Sequence, residues 1–286
     1  MPRPYIEFVQ AQALVWQTGV LPGAAGELEC KPLSTDAETG ACSVLLRYPA
    51  GWQREGLMHL SAAYEFFVLD GELEINGQPY GLDCYGYLPA GFNYRSTSSK
   101  GGAVLLAFFD ALPVPTMGQG AMAEDTNAPA IPYLNLHDIP WSTEGIDPDV
   151  ARDRYMAHKR LRYNSVTGDT TFVLEGGAHS HAEGWQEKEL RHPCVEEMYL
   201  LSGDIIGPQG VISGGGYFWR PPDIWHGPFV SRMGYLGVFR FLGGHHVNIW
   251  SDHKRTATLT PAYNPILPDE LKAAIAGQPV DTPNPF

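Results

Sequence analysis

The chain has 286 residues, 44% hydrophobic and 18% charged, which is enough apolar material for a packed core and too much for wholesale disorder. Its formal charge of −13 at pH 7 argues against a nucleic-acid backbone or an anionic membrane surface as partner, since both require basic patches. The 32 glycines and 24 prolines favour short strands joined by turns over long helices.

The amino terminus, MPRPYIEFVQAQALVWQTGV, lacks the charged start, continuous apolar core and small-residue cleavage site of a signal peptide. No stretch approaches the ~18 uninterrupted apolar residues that a spanning helix needs. Cys30, Cys42, Cys84 and Cys194 form no Cys-x-x-Cys pair, so reduced thiols in a cytoplasmic protein are expected.

The first strand-like phrase, KPLSTDAETGACSVLL at 31–46, recurs as KRLRYNSVTGDTTFVL at 159–174, with Lys31/Lys159, Leu33/Leu161, Thr39/Thr167 and Gly40/Gly168 at constant spacing. GWQ at 51–53 then matches 184–186 after a short insertion, and LMH at 57–59 meets LRH at 190–192. Glu65/Glu197, Gly71/Gly203 and Pro89/Pro221 follow in the same order. The chain is read as a tandem duplication.

Further along, EFFVLDGELEING at 65–77 is a strand, an Asp-Gly turn, an alternating strand and an Asn-Gly turn, and EMYLLSGDIIG at 197–207 repeats it. YGYLPAGFNYR (85–95) and YFWRPPDIWHG (217–227) each predict an aromatic strand and a Pro turn. GAVLLAFF (102–109) and GYLGVFRFL (234–242) close each copy. About six to eight short strands per copy suit a double-sheet barrel. The stretch from 113 to 150 reads as a linker, though Tyr133, Leu136 and Trp141 should hold it against a surface. PDELKAAIAG at 268–277 is the best helix candidate. The expected architecture is all-β, two tandem jelly-roll barrels over 1–125 and 126–286 with a short C-terminal helix.

HPCVEEMYLLSGD at 192–204 raises a chemical question, because a strand ending in apolar residues opens with His192, Glu196 and Glu197. Burying such groups costs several kcal/mol unless hydrogen bonds or a metal compensate. These motifs resemble the cupin superfamily, whose first motif runs from Gly through His-x-His and three or four residues to Glu and a second Gly, and whose second is Pro-x-Gly-x-x-His. His192, Glu197, Gly203 and His226 match in the C-terminal copy; His59, Glu65, Gly71, Pro89 and Gly91 match in the N-terminal copy. The phrase at 31–52 also resembles the cupins of zinc-binding anti-sigma factors and acetylacetone-cleaving dioxygenases. The first histidine of His-x-His is Leu57 or Leu190, Asp223 replaces the second motif's Gly, and Tyr94 stands where the other copy has His226.

The resemblance implies a bicupin with one metal site, held by His192, Glu197 and His226, and a vestigial site at His59, Glu65 and Tyr94. Two histidines and a carboxylate suit Fe(II), or Zn²⁺ as a Lewis acid, with Mn or Ni also compatible. Glu196, Tyr199 and Arg240 are candidates for supporting catalytic roles, Arg240 being equally placed to face in or out. His179, His181, Gln186 and Glu187 lie in the copy-specific insertion and read as a rim loop that could supply a fourth ligand. His245, His246 and His253 read as surface or interface histidines, Cys194 as a small buried residue, and Trp219 and Trp225 as pocket wall or core.

The implied function is a metal-dependent enzyme acting on a small organic molecule, with oxidative cleavage of a diketone- or phenol-like substrate leading. A redox-neutral hydrolase, isomerase or lyase, or a non-catalytic metal- or ligand-binding cupin, is the alternative; a storage role fits the retained ligand pattern poorly. No nucleic acid or membrane partner is expected, and a homodimer is plausible for barrels with free sheet edges.

Overall fold

The structure, a computed structural model, describes residues 2–22, 27–122, 129–179, 181–275 and 286. The chain forms two compact units, Met1–Arg3 with Val15–Ile139, and Pro4–Leu14 with Pro140–Phe286.

The first unit packs two antiparallel sheets. One runs Ile131–Asn135, Cys84–Leu88, Tyr64–Gly71, Ala103–Phe109, Cys42–Tyr48, Glu29–Thr35; the other runs Pro115–Met117, Trp52–Leu60, Tyr94–Ser99, Leu73–Ile75, Gln78–Tyr80. The alternation of the strands sends Val44 and Leu46, Phe66 and Val68, and Leu105 and Ala107 into one shared core.

The second unit repeats the plan. Its main sheet runs Ile6–Gln10, Gly216–Arg220, Val195–Gly207, Tyr235–Leu242, Thr170–Gly176, Ala157–Tyr163, with Gly210–Ser213 paired to Val195–Gly207. Gln186–Arg191 and Ile249–Thr256 form a separate two-stranded sheet. The matching strands of the two main sheets occupy the same places. The edge strand differs, being Ile131–Asn135 in the first unit and Ile6–Gln10 in the second. Residues 131–139, grouped by sequence with the C-terminal half, therefore pack in the first unit, and residues 4–14 pack in the second. Sequence order gives no sign of this, because a sheet edge accepts any strand that can complete its hydrogen bonds.

Gly71 and Gly203, the closing glycines of the duplicated motif, both have left-handed backbones (φ 70° and 81°). A Cβ there would collide with the carbonyl of Gly102 or Gly234 on the neighbouring strand, so glycine is required where each hairpin strand slips register. The C-terminal helix spans Asp269–Ile275, and positions 276–277 of the expected helix lie outside the described residues. The segment read as a linker also holds a short helix, Pro148–Arg154. Asp147 Oδ1 caps it, accepting from the backbone N–H of Asp149 (2.9 Å) and Val150 (3.3 Å), and Pro148 starts it. All four cysteines are buried as thiols outside any disulfide. No described helix is long and apolar enough to cross a membrane.

The N-terminal edge strand contributes more than hydrogen bonds. It brings Glu7 to Arg220, whose Nε and Nη2 donate to the two carboxylate oxygens at 2.7 and 2.5 Å, with both side chains essentially inaccessible. Glu7→Ala is expected to lower the unfolding free energy by about 3–5 kcal/mol, because it strips a buried guanidinium of one partner. Urea denaturation followed by circular dichroism measures this; a change within ordinary surface-mutation scatter would contradict it.

Candidate metal centre

Strand alternation allows only one of two adjacent glutamates to face the barrel interior. On Val195–Gly207 that residue is Glu196, on the same face as Met198 and Leu200 and paired across the sheet with Arg220 and Phe241. His192 follows the Gln186–Arg191 strand. His226 lies beyond the turn after Arg220, where reciprocal backbone hydrogen bonds with Leu190 (3.1 and 3.0 Å) bring the two histidines to one end of the barrel. The turn itself is set by Asp223, which is left-handed (φ 65°) and donates its N–H to the His192 carbonyl at 2.8 Å. Aspartate tolerates that conformation better than most residues, so it can stand where the motif has glycine.

Three ligand-type atoms converge here. Glu196 Oε2 lies 3.4 Å from His226 Nε2 and 3.7 Å from His192 Nε2, and all three residues are buried. The imidazole Nδ1 atoms donate to backbone carbonyls, His192 to Val247 at 3.1 Å and His226 to Ile224 at 2.9 Å. A carbonyl only accepts, so each Nδ1 carries a ring proton and each ring turns its Nε2 toward Glu196. Burial, aided by Arg220, holds the His226 pKa down at about 3. Burial alone would raise Glu196, but Arg220 Nη1, donating to Oε2 at 2.6 Å, outweighs it and holds the carboxyl at about 2.

Arg220 is thus shared between Glu196 and Glu7, two carboxylates on one cation. Two imidazole Nε2 atoms and a carboxylate oxygen in close mutual approach form a donor set that a divalent cation fits. Among the described residues this is the one His/Cys/Asp/Glu group with all its ligand atoms within 4.8 Å of each other.

Residues 7–113 match the ChrR cupin-like domain family. No curated protein matches the chain. Among solved structures, a provisionally named dioxygenase from Nostoc punctiforme superposes with a TM-score of 0.71 at 16% identity, over 88% of this chain and 92% of that one. The chain has the two-barrel bicupin fold. Salicylate 1,2-dioxygenase from Pseudoaminobacter salicylatoxidans (TM-score 0.54, 11% identity, 81% and 79% covered) has a similar fold. So does procruciferin, an 11S globulin from Brassica napus (TM-score 0.54, 9% identity, 88% and 87% covered). Enzymes and a globulin on one fold leave function to the site.

In this bicupin Glu197, the carboxylate chosen from sequence, faces away from the histidines. Its Oε1 accepts from the Tyr217 hydroxyl and its Oε2 from Arg240 Nη1, both at 2.7 Å. The motif permits either three or four residues between His and Glu, and the pleat selects Glu196. Tyr199 and Arg240 share the Glu197 face, so of the three supporting candidates only Glu196 reaches the cluster, as a member of it. In the insertion, His181 stacks on Trp185 (ring centroids 4.0 Å apart), Gln186 donates to Thr256 Oγ1 (3.2 Å) and Glu187 accepts from Arg154 (3.0 Å). Neither these residues nor His179 joins the cluster.

His246, grouped by sequence with surface histidines, is an exposed residue whose ring nevertheless lies 4.7 Å from that of His192 and 4.0 Å from that of Phe241. His245 and His253 are exposed. The Cys194 thiol, pushed up to about 11 by burial, is unsuited to nucleophilic work. Trp219 is buried in the sheet and Trp225 is exposed beneath Arg191. Sequence reasoning missed Arg220 and Glu7. A charged residue ending the aromatic run Tyr217-Phe218-Trp219 was a readable signal for the arginine; nothing local pointed to a partner so distant in sequence.

The N-terminal barrel does not assemble His59, Glu65 and Tyr94. His59 turns its Nδ1 to the Gly118 carbonyl (3.3 Å), while Glu65 accepts from Tyr85 at 2.7 Å, the counterpart of the Glu197–Tyr217 pair. Met58 faces Tyr94 across the sheet as Leu190 faces His226. Leu60, not His59, therefore stands in the place of His192, because the strand shifts register between Glu55 and Met58.

Glu197→Gln is expected to destabilise the fold by about 1–3 kcal/mol by weakening buried charge-assisted hydrogen bonds, and to leave the environment of His192 and His226 unchanged. Urea melts and histidine-ring NMR of the same variant separate the two effects; perturbed rings would place Glu197 in the cluster.

Proposed function

We propose that the bicupin is a metal-dependent enzyme whose C-terminal barrel acts on a small organic molecule, with dioxygenase cleavage of a diketone- or phenol-like substrate as the reaction that fits best. The observation that carries this reading is the convergence of His192 Nε2, His226 Nε2 and Glu196 Oε2 on one buried point. Two imidazoles and one carboxylate suit Fe(II), which when bound supplies Lewis acidity toward a chelating enolate or phenolate and a position for dioxygen beside it; the same donors accept Zn²⁺, which would favour hydrolysis or isomerisation.

The chain's own residues prepare that chemistry. The Val247 and Ile224 carbonyls fix both imidazole tautomers, and Arg220 keeps Glu196 ionised and aimed. Met198, Phe239 and Phe241 surround the cluster with apolar wall and limit water. The chief competing reading is a self-satisfied polar network, supported by the direct Arg220–Glu196 ion pair.

Elemental analysis of protein expressed in media supplied with Fe, Zn, Mn and Ni tests both. The expected result is about one equivalent of metal in the wild type and in Glu197→Gln, and its loss in Glu196→Gln and His226→Ala. Bound iron should accompany oxygen uptake with a β-diketone or a catechol. Metal-free wild type from all four media would sink the enzyme reading and leave the polar network.

A further inference from the structure

The same end of the N-terminal barrel is a cavity of about 60 Å³. Leu60, Tyr64 and Tyr94, which occupy the places of His192, Glu196 and His226, all line it. Arg54 joins them from the inward face of Trp52–Leu60, on which Trp52, Met58 and Leu60 also point into the space. Three chelating side chains in one barrel are thus replaced by one aliphatic and two phenols in the other, and a guanidinium is added.

Half-buried Arg54 lies over the Tyr94 ring, 5.9 Å from its centroid. The Tyr94 hydroxyl and Arg54 Nε are buried without a hydrogen bond, and Tyr94 is 4% exposed. The Tyr64 hydroxyl, equally buried, lies toward the Tyr48 hydroxyl. Arg54 has one long contact, 3.4 Å from Nη2 to Thr97 Oγ1, and no lining residue is acidic. A buried phenol hydroxyl and a guanidinium N–H without an acceptor cost the fold energy unless an acceptor enters. The remaining wall is apolar, including Leu46, Ile75 and Phe109.

We propose that the N-terminal barrel is a binding site for a small carboxylate with a short apolar tail, its oxygens held by Arg54, Tyr94 and Tyr64. The cavity accommodates roughly four water-sized groups, the scale of propionate or pyruvate. Inorganic phosphate matches less well, because its four oxygens would press against aliphatic wall. The assignment is independent of the metal centre, since all of its residues belong to the first unit.

Isothermal titration of the full chain with propionate and pyruvate tests it, using the His226→Ala variant so that coordination in the other barrel does not contribute. Both acids should bind, and propionamide should bind at least about tenfold more weakly. Arg54→Gln should abolish binding and Tyr94→Phe weaken it about tenfold, the scale of one lost hydrogen bond. The unliganded melting temperature of Tyr94→Phe should match or exceed that of its parent, because the lost hydroxyl had no partner. No binding of either acid, equal binding of propionamide, tighter binding of phosphate, or unchanged affinity in Arg54→Gln would each overturn the proposal.

Discussion

The second barrel depends on one buried guanidinium. Arg220 holds Glu7 from the edge strand with two hydrogen bonds and Glu196 from the central strand with a third, while its plane lies 3.5 Å from the Phe218 ring. A single side chain therefore joins the sheet edge to the histidine cluster. Such a group is tolerable in the interior only with its hydrogen bonds satisfied, so the strand that supplies Glu7 and the carboxylate that faces the histidines are mutually required.

Buried ion pairs are weak sources of net stability, since desolvation offsets much of the attraction. The value of this arrangement is geometric. A carboxylate fixed by Arg220 has one oxygen, Oε2, directed toward both Nε2 atoms, and the imidazoles are fixed in turn through Nδ1. Rotational freedom is thus removed before anything binds, which is what preorganisation of a site requires.

The two units share their walls and differ in their contents. The two main sheets share a strand order, the Glu65–Tyr85 and Glu197–Tyr217 pairs are superposable in kind, and the same glycine terminates the same hairpin strand. Inside, one barrel converges imidazoles and a carboxylate, the other phenols and a guanidinium. Wall residues answer to packing and backbone geometry, which both copies share.

The amino-acid sequence by itself determined the hairpin strands and their turns and the all-β class, and it singled out His192 and His226, because turn chemistry, period-two patterning and motif spacing act over short stretches of chain. It narrowed the carboxylate to Glu196 or Glu197 and no further. Only the tertiary structure decided between them, since the face of a strand depends on register against its neighbours. The same holds for Leu60 in place of His59, shifted by one irregular pairing, and for Ile6–Gln10 as the second unit's edge. Glu7 and Arg220 meet across 213 positions of sequence, a contact that no local pattern encodes because it exists only once the sheet has closed around it.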